Sequence, residues 1–223
     1  PPSLGTLAFT TPSEGIVPIW EFTCEDEVRS TPAIAGGVVY IGSYDNNLYA
    51  LDAKSGKFLW KYPTDAGICS TPCVWRDKVI VGSEDRVMYA VNARTGRIVW
   101  TCPTRDRIRS SPRVAYEHAF FGSDDGRLYT VNAETGRVVW TFETMAPIRS
   151  SPAVVDEVVY FGSNDGYVYA VNIKGGTVKW KFHSGRSIIS SPTVEEGMLY
   201  VGSTDWNLYA LAARSGFQVW RYR

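Results

Sequence analysis

Tryptophan stands at Trp20, Trp60, Trp100, Trp140, Trp180 and Trp220, a spacing of 40 residues held without an insertion or deletion. A period of that length marks a repeat array, in which each unit buries its apolar faces against its neighbours. The same ruler finds Pro32, Pro72, Pro112, Pro152 and Pro192, and Gly-Ser pairs beginning at Gly42, Gly82, Gly122, Gly162 and Gly202. It also finds Asp45, Asp85, Asp125, Asp165 and Asp205, and Tyr49, Tyr89, Tyr129, Tyr169 and Tyr209.

Within one unit, residues 150–182, runs of β-branched and aromatic residues are broken at three places by turn signals, which predicts four short strands. Strand A follows the Ser-Pro, strand B is VVYFGS, strand C is YVYAVN and strand D is TVKWKF. Strand B is a continuous apolar run in every unit, the pattern of a strand covered on both faces. A blade of a β-propeller supplies that environment, and four strands in about 40 residues is its usual size. The fold predicted is therefore all-β, a propeller of five four-stranded blades with an extra N-terminal strand.

The repeated positions have structural readings. Proline at the head of strand A removes an amide where the edge strand facing the channel has no ladder partner. The Gly of the Gly-Ser-x-Asp turn is expected to need an unusual backbone dihedral, and the Asp to cap nearby amides. The Thr/Ser-Gly before strand D makes a tight hairpin, and the Trp four residues later is expected to wedge adjacent blades apart. No loop carries the spaced oxygens and terminal Glu of a calcium site.

Segments such as LYALDAKSGKFLW (Leu48 to Trp60), MYAVNARTGRIVW, LYTVNAETGRVVW and LYALAARSGFQVW resemble the PQQ-like, quinoprotein-type β-propeller repeat family, in register over roughly residues 16–223. That family includes alcohol and glucose dehydrogenases, the propeller lipoprotein of outer-membrane assembly, and propellers attached to bacterial protein kinases. For the dehydrogenases the resemblance implies eight blades, calcium ligands and a disulfide between adjacent cysteines. Cys24, Cys69, Cys73 and Cys102 include no adjacent pair, so the non-enzymatic branch is expected, with no cofactor and no metal.

Five complete strand sets run from Ser30 to Tyr62, Ser70 to Cys102, Ser110 to Phe142, Ser150 to Phe182 and Ser190 to Tyr222. Ile16 to Phe22 reads as a sixth strand D, and Leu7 to Thr10 as a degenerate strand C. Closure of a ring by five blades alone is the favoured reading. The alternative makes residues 1–22 the remnant of another blade. Residues 1–15 read as an extension or linker and 16–223 as one propeller domain.

The chain has 223 residues, 44% hydrophobic, with 23 basic and 23 acidic side chains. That balance argues against general attraction to nucleic acid or to an anionic membrane. No apolar run reaches the roughly 18 residues of a membrane-spanning helix. A Pro-Pro start without Met suggests a processed or excised segment. The cysteines share no repeat position and form no zinc spacing. Cys69 and Cys73 lie roughly 13 Å apart along an extended segment, beyond disulfide reach. Unpaired thiols lean toward a cytoplasmic setting, with a periplasmic one if the parent is exported. His118, in the A–B turn, and His183, after strand D, fall on opposite faces and build no nucleophile–base pair.

Function is then expected in the loops, where a repeat frame presents variable tips. Arg29, Arg109 and Arg149 share one position at the channel mouth and form a candidate anion ring, set against pairing with loop acids such as Glu27, Glu84 and Asp124. The B–C tips add Tyr44, Arg86, Arg127, Tyr167 and Trp206, an aromatic and arginine mixture suited to protein interfaces. A non-catalytic interaction or ligand-sensing module is expected, binding a protein or peptide, or an acidic small ligand, through the D–A and B–C face. The alternative is a lectin-like or small-anion-binding propeller, and a quinone-dependent dehydrogenase ranks last.

Overall fold

The computed structural model describes residues 17–223. Its strands form five antiparallel four-stranded sheets, each in the order A-B-C-D, covering residues 33–63, 73–103, 113–143, 153–183 and 193–222. In blade 4 the strands are Ala153–Val155, Val158–Gly162, Tyr167–Asn172 and Val178–His183. The predicted strand C matches in full, while strand D begins and ends one residue later than the sequence suggests. His118 consequently opens a strand B and His183 closes a strand D.

Strands A pack against one another in succession from blade 1 to blade 5, so they line the axis, and strands D lie at the rim. Each blade carries a register shift between strands C and D; in blade 1, Ala50 pairs with Trp60 and Leu51 with Phe58. Such a bulge re-aims the following side chain, here the repeated tryptophan.

Trp60, Trp100, Trp140 and Trp180 each reach the next blade, where the indole Nε1 donates to the carbonyls of Ala93, Ala133, Ile173 and Ala213 at 2.8–3.0 Å. The ring lies against the C–D glycine of that blade, and a Cβ on Gly96, Gly136, Gly176 or Gly216 would fall 2.6–2.7 Å from it. The wedge role expected for tryptophan is thus a specific slot, made of one carbonyl and one bare glycine.

The Gly-Ser glycines differ from expectation. Gly42, Gly82, Gly122 and Gly162 are not left-handed; a Cβ at each would lie 2.1–2.3 Å from Cγ2 of Ile68, Ile108, Ile148 or Ile188 in the following D–A loop. Their requirement is space, with no special φ.

Four apolar cores fill the interfaces between blades 1 and 2, 2 and 3, 3 and 4, and 4 and 5. Among the described residues no hydrogen bond, ion pair or aromatic contact links blade 5 to blade 1, and Trp220 donates to no carbonyl. Trp220 is 41% exposed, against 7% for Trp100. Among the described residues the five blades are joined in series, each to the next, from blade 1 to blade 5.

The first slot, on blade 1, is filled by Trp20, whose Nε1 donates to Ala53 O at 3.0 Å and whose ring covers Gly56. Residues 17–22 hold this place without joining a sheet ladder among the described residues. Ile16, the proposed strand Leu7 to Thr10, and the 1–15 extension lie outside those residues.

Candidate functional site

The B–C turn is built the same way five times. The aspartate Oδ1 accepts the amide two residues on, at 3.0–3.1 Å, and Oδ2 accepts the hydroxyl of the tyrosine four residues on, at 2.6–2.8 Å. In four blades Oδ2 also accepts an amide from the preceding D–A loop, at 3.0–3.2 Å. In those four blades the aspartate thus ties two loops and one strand of a single face together. Burial works against the charge of Asp45 and Asp205, but these donors outweigh it and hold both carboxyls below their ordinary range. Burial and the aspartate together push the Tyr49 and Tyr89 hydroxyls well up, so they stay protonated donors.

On this frame the channel mouth carries a chain of polar contacts across blades 1 to 4. The Arg29 guanidinium sits 4.8 Å above the Tyr44 ring and pairs with Glu27 at 2.6 Å. The Tyr44 hydroxyl donates to Glu84 Oε1 at 3.1 Å, and Arg109 Nε donates to the same oxygen at 2.9 Å. Arg109 also lies 3.3 Å from Asp124, and Arg149 grips Asp124 with two donors at 2.9 and 3.2 Å. Glu84 and Asp124 are only 13% and 8% exposed. Burial alone would raise the Glu84 carboxyl, but the Arg109 and Tyr44 hydrogen bonds and the guanidinium charges hold it low. Burial and the Glu84 charge push the nearby Cys69 thiol up.

The arginines named by the sequence are thus brought together, and each donates to a carboxylate that an anion would have to displace. Glu84 and Asp124, read from the sequence only as loop acids, are the hubs. Their signal was their place one residue before each stapling aspartate, facing the arginine position of the next loop. In blades 4 and 5 the chain of contacts stops, because Asn164 and Ile189 replace Asp124 and Arg149. The Asn164 Oδ1 is buried with no partner among the described residues.

The remaining tip residues divide into two groups. Arg127 and Tyr167 open strands C and lean on their own strand D. Arg127 lies 3.6 Å from Glu143, and Tyr167 packs on His183 with ring centres 4.6 Å apart. Arg86 and Trp206 instead occupy the left-handed corner, with φ of 76° and 72°, where blades 3 and 4 place Gly126 and Gly166. A side chain there carries backbone strain of about 1–2 kcal/mol. Trp206 is 70% exposed, flanked by the guanidiniums of Arg186 and Arg223 at 5.7 and 5.6 Å. The four thiols are free, with Cys24, Cys69 and Cys73 half-buried and Cys102 buried.

A family model described as outer membrane protein assembly factor BamB matches residues 17–117 and 124–223. No curated protein sequence matches the chain. Among solved structures the chain is similar to BamB from Moraxella catarrhalis, with a TM-score of 0.82 and 24% identity over 92% of this chain and 67% of that one. It is also similar to the computationally designed Ika8 protein, with a TM-score of 0.79 and 15% identity over 87% of this chain and 61% of that one. A third likeness is to the quinohemoprotein alcohol dehydrogenase ADHIIG from Pseudomonas putida HK5, with a TM-score of 0.75 and 20% identity over 91% of this chain and 43% of that one. At these identities the likenesses speak for the fold alone.

Proposed function

The chain belongs to the family of PQQ-like propellers described as outer membrane protein assembly factor BamB, and from that premise we propose that it is a non-catalytic interaction module whose D–A and B–C face receives a protein segment. The observation that carries this reading is the pair of exposed side chains, Arg86 and Trp206, held in a left-handed corner that glycine fills in blades 3 and 4. Strain kept at an exposed tip points to use of that tip, and tryptophan and arginine are the side chains that dominate protein interfaces. The contacts from Arg29 to Arg149 keep the rest of the face rigid, so a partner meets it with little ordering to offset. Arg29, Tyr44, Arg109 and Arg149 then act as polar rim contacts, with Arg127 and Tyr167 at the periphery.

Trp206→Gly tests the reading because it separates binding from folding. Glycine relieves the left-handed strain, so the melting temperature should hold or rise, while partner capture should fall. A photo-crosslinking side chain placed at position 206 or 86 in the native cell should trap the same protein, and one at Lys54 on the opposite face should not. Equal trapping from all three positions, or capture unchanged by Trp206→Gly, would remove the assignment.

A further inference from the structure

The opposite face, made by the A–B and C–D turns, holds a groove between blades 4 and 5 with a volume of about 590 Å³, within the range of small-ligand sites. Its floor is apolar, formed by Val155, Val158, Tyr160 and Val194. Its charged groups are sorted. Asp156, Glu195 and Glu196 come from the two A–B hairpins, nearer the axis, while Lys179 and Arg214 come from strand D of blade 4 and the C–D turn of blade 5, nearer the rim. Lys179 occupies the bulge position filled by Leu59, Val99, Val139 and Val219 in the other blades. None of these five charged side chains makes an ion pair or a side-chain hydrogen bond among the described residues. Asp156 and Glu196 are held at φ of 48° and 47°, so both walls present a carboxylate from a strained corner.

The same place between blades 2 and 3 serves as an internal control. There Trp75 and Lys78 stand where the groove has Val155 and Val158. The Lys78 ammonium bridges Asp77 and Glu134 at 2.8 Å, and Arg76 stacks 4.3 Å over the Trp75 ring while pairing with Glu117. Those side chains fill the cleft and neutralise it. Between blades 1 and 2 the cleft is about 290 Å³ and its lining includes no carboxylate. Between blades 3 and 4 the cleft is about 280 Å³, and the carboxylate and ammonium in its lining, Glu157 and Lys174, pair with each other at 3.2 Å. The cleft between blades 4 and 5 differs from these in its size and in acidic and basic groups that stay unpaired among the described residues.

We infer that this groove binds a small apolar-bodied zwitterion of the short-peptide class. Its ammonium faces Asp156, Glu195 and Glu196, its carboxylate faces Lys179 and Arg214, and its apolar side chains cover the valines and Tyr160. Charge-assisted hydrogen bonds at both ends fix the orientation, and burial of apolar surface supplies the affinity. The site is independent of the interaction face proposed above.

The test is ligand-observed saturation-transfer NMR with a pooled library of free tripeptides bearing apolar side chains, run beside the same library N-acetylated and the same library C-amidated. Binding of the free library, lost on acetylation and weakened at least tenfold on amidation, is expected. Val155→Trp with Val158→Lys, which imports the blade 2 filling, should abolish it. Glu195→Gln with Glu196→Gln, on an exposed hairpin and strand end, should weaken it tenfold or more with an unchanged melt, which keeps the test decisive if the filled variant fails to fold. Absence of binding by the free library, equal binding by free and capped libraries, or binding that survives the Gln pair would overturn the proposal.

Discussion

A position can require glycine for its φ or for the missing Cβ, and the array uses both reasons at different places. Gly136 and Gly176 need both, since each is left-handed and touches a tryptophan ring. Gly122 needs only the missing Cβ, which would fall 2.3 Å from Ile148 Cγ2 and 2.5 Å from its carbonyl oxygen. At Gly202 no isoleucine is packed against the position among the described residues, and the nearest atom to a Cβ is Ser190 Oγ at 3.5 Å. Gly122→Ala should therefore destabilise by about 1–3 kcal/mol through overpacking. Gly202→Ala should stay within about 0.5 kcal/mol of the parent, as for an unconstrained surface change. Denaturant titration of the two variants checks the contrast, and equal losses would mean that the Gly-Ser glycine serves the turn instead of the neighbouring loop.

At the scale of elements the A–B hairpins solve one geometric problem in unequal ways. Each joins its strands through two residues, and blade 1 uses Gly36 and Gly37, both at positive φ, as the primed turn that matches strand twist demands. Blade 3 places Tyr116 and Glu117 there, at 48° and 61°. Tyr116→Asn with Glu117→Gly should raise stability by about 1–2 kcal/mol, measured by thermal or denaturant melts, because it removes the left-handed penalty. The Glu117 ion pair with Arg76 is exposed and its loss is worth less than that. These hairpins also mark the limit of sequence reading. Strand positions were legible because alternation and the 40-residue ruler repeat in every unit, and the tryptophan wedge was legible from its regular spacing and size. The C–D bulge was not, since it adds no residue to the period. The Ile68, Ile108, Ile148 and Ile188 series did recur in register, but its target glycines lie in a different turn, and only the packing joins the two. At the channel mouth the arginines were legible by position, while their partners were not, because Glu84 and Asp124 differ from the Tyr44 and Asn164 of equivalent turns. The groove between blades 4 and 5 is invisible in one repeat and appears only when the replacements at Trp75 and Lys78 are compared across blades.

At the scale of the whole molecule the slot rule decides the shape. Every interface joins the tryptophan of one blade to a carbonyl and a glycine of the next, so a series of blades has a donor end and an acceptor end. Trp20 covers the acceptor end on blade 1, and Trp220, 41% exposed, fills no such slot among the described residues. In such an array stability is close to a sum of blade and neighbour terms, and blade 5, which meets one neighbour among the described residues, should be the weakest. Trp100→Ala empties a buried slot and should destabilise by about 3–5 kcal/mol. Trp220→Ala removes a side chain that is 41% exposed among the described residues, and its loss should stay near or below about 1 kcal/mol, the range of half-exposed changes. Amide hydrogen exchange should follow the same gradient, with least protection in strands C and D of blade 5 and most in blade 3, because local opening needs fewer contacts broken at a free end. A closed ring gives a different pattern, since every blade then has two neighbours and the two tryptophans become equivalent. Uniform protection across the blades, together with equal losses at Trp100 and Trp220, would show that blade 5 packs against a second neighbour in solution.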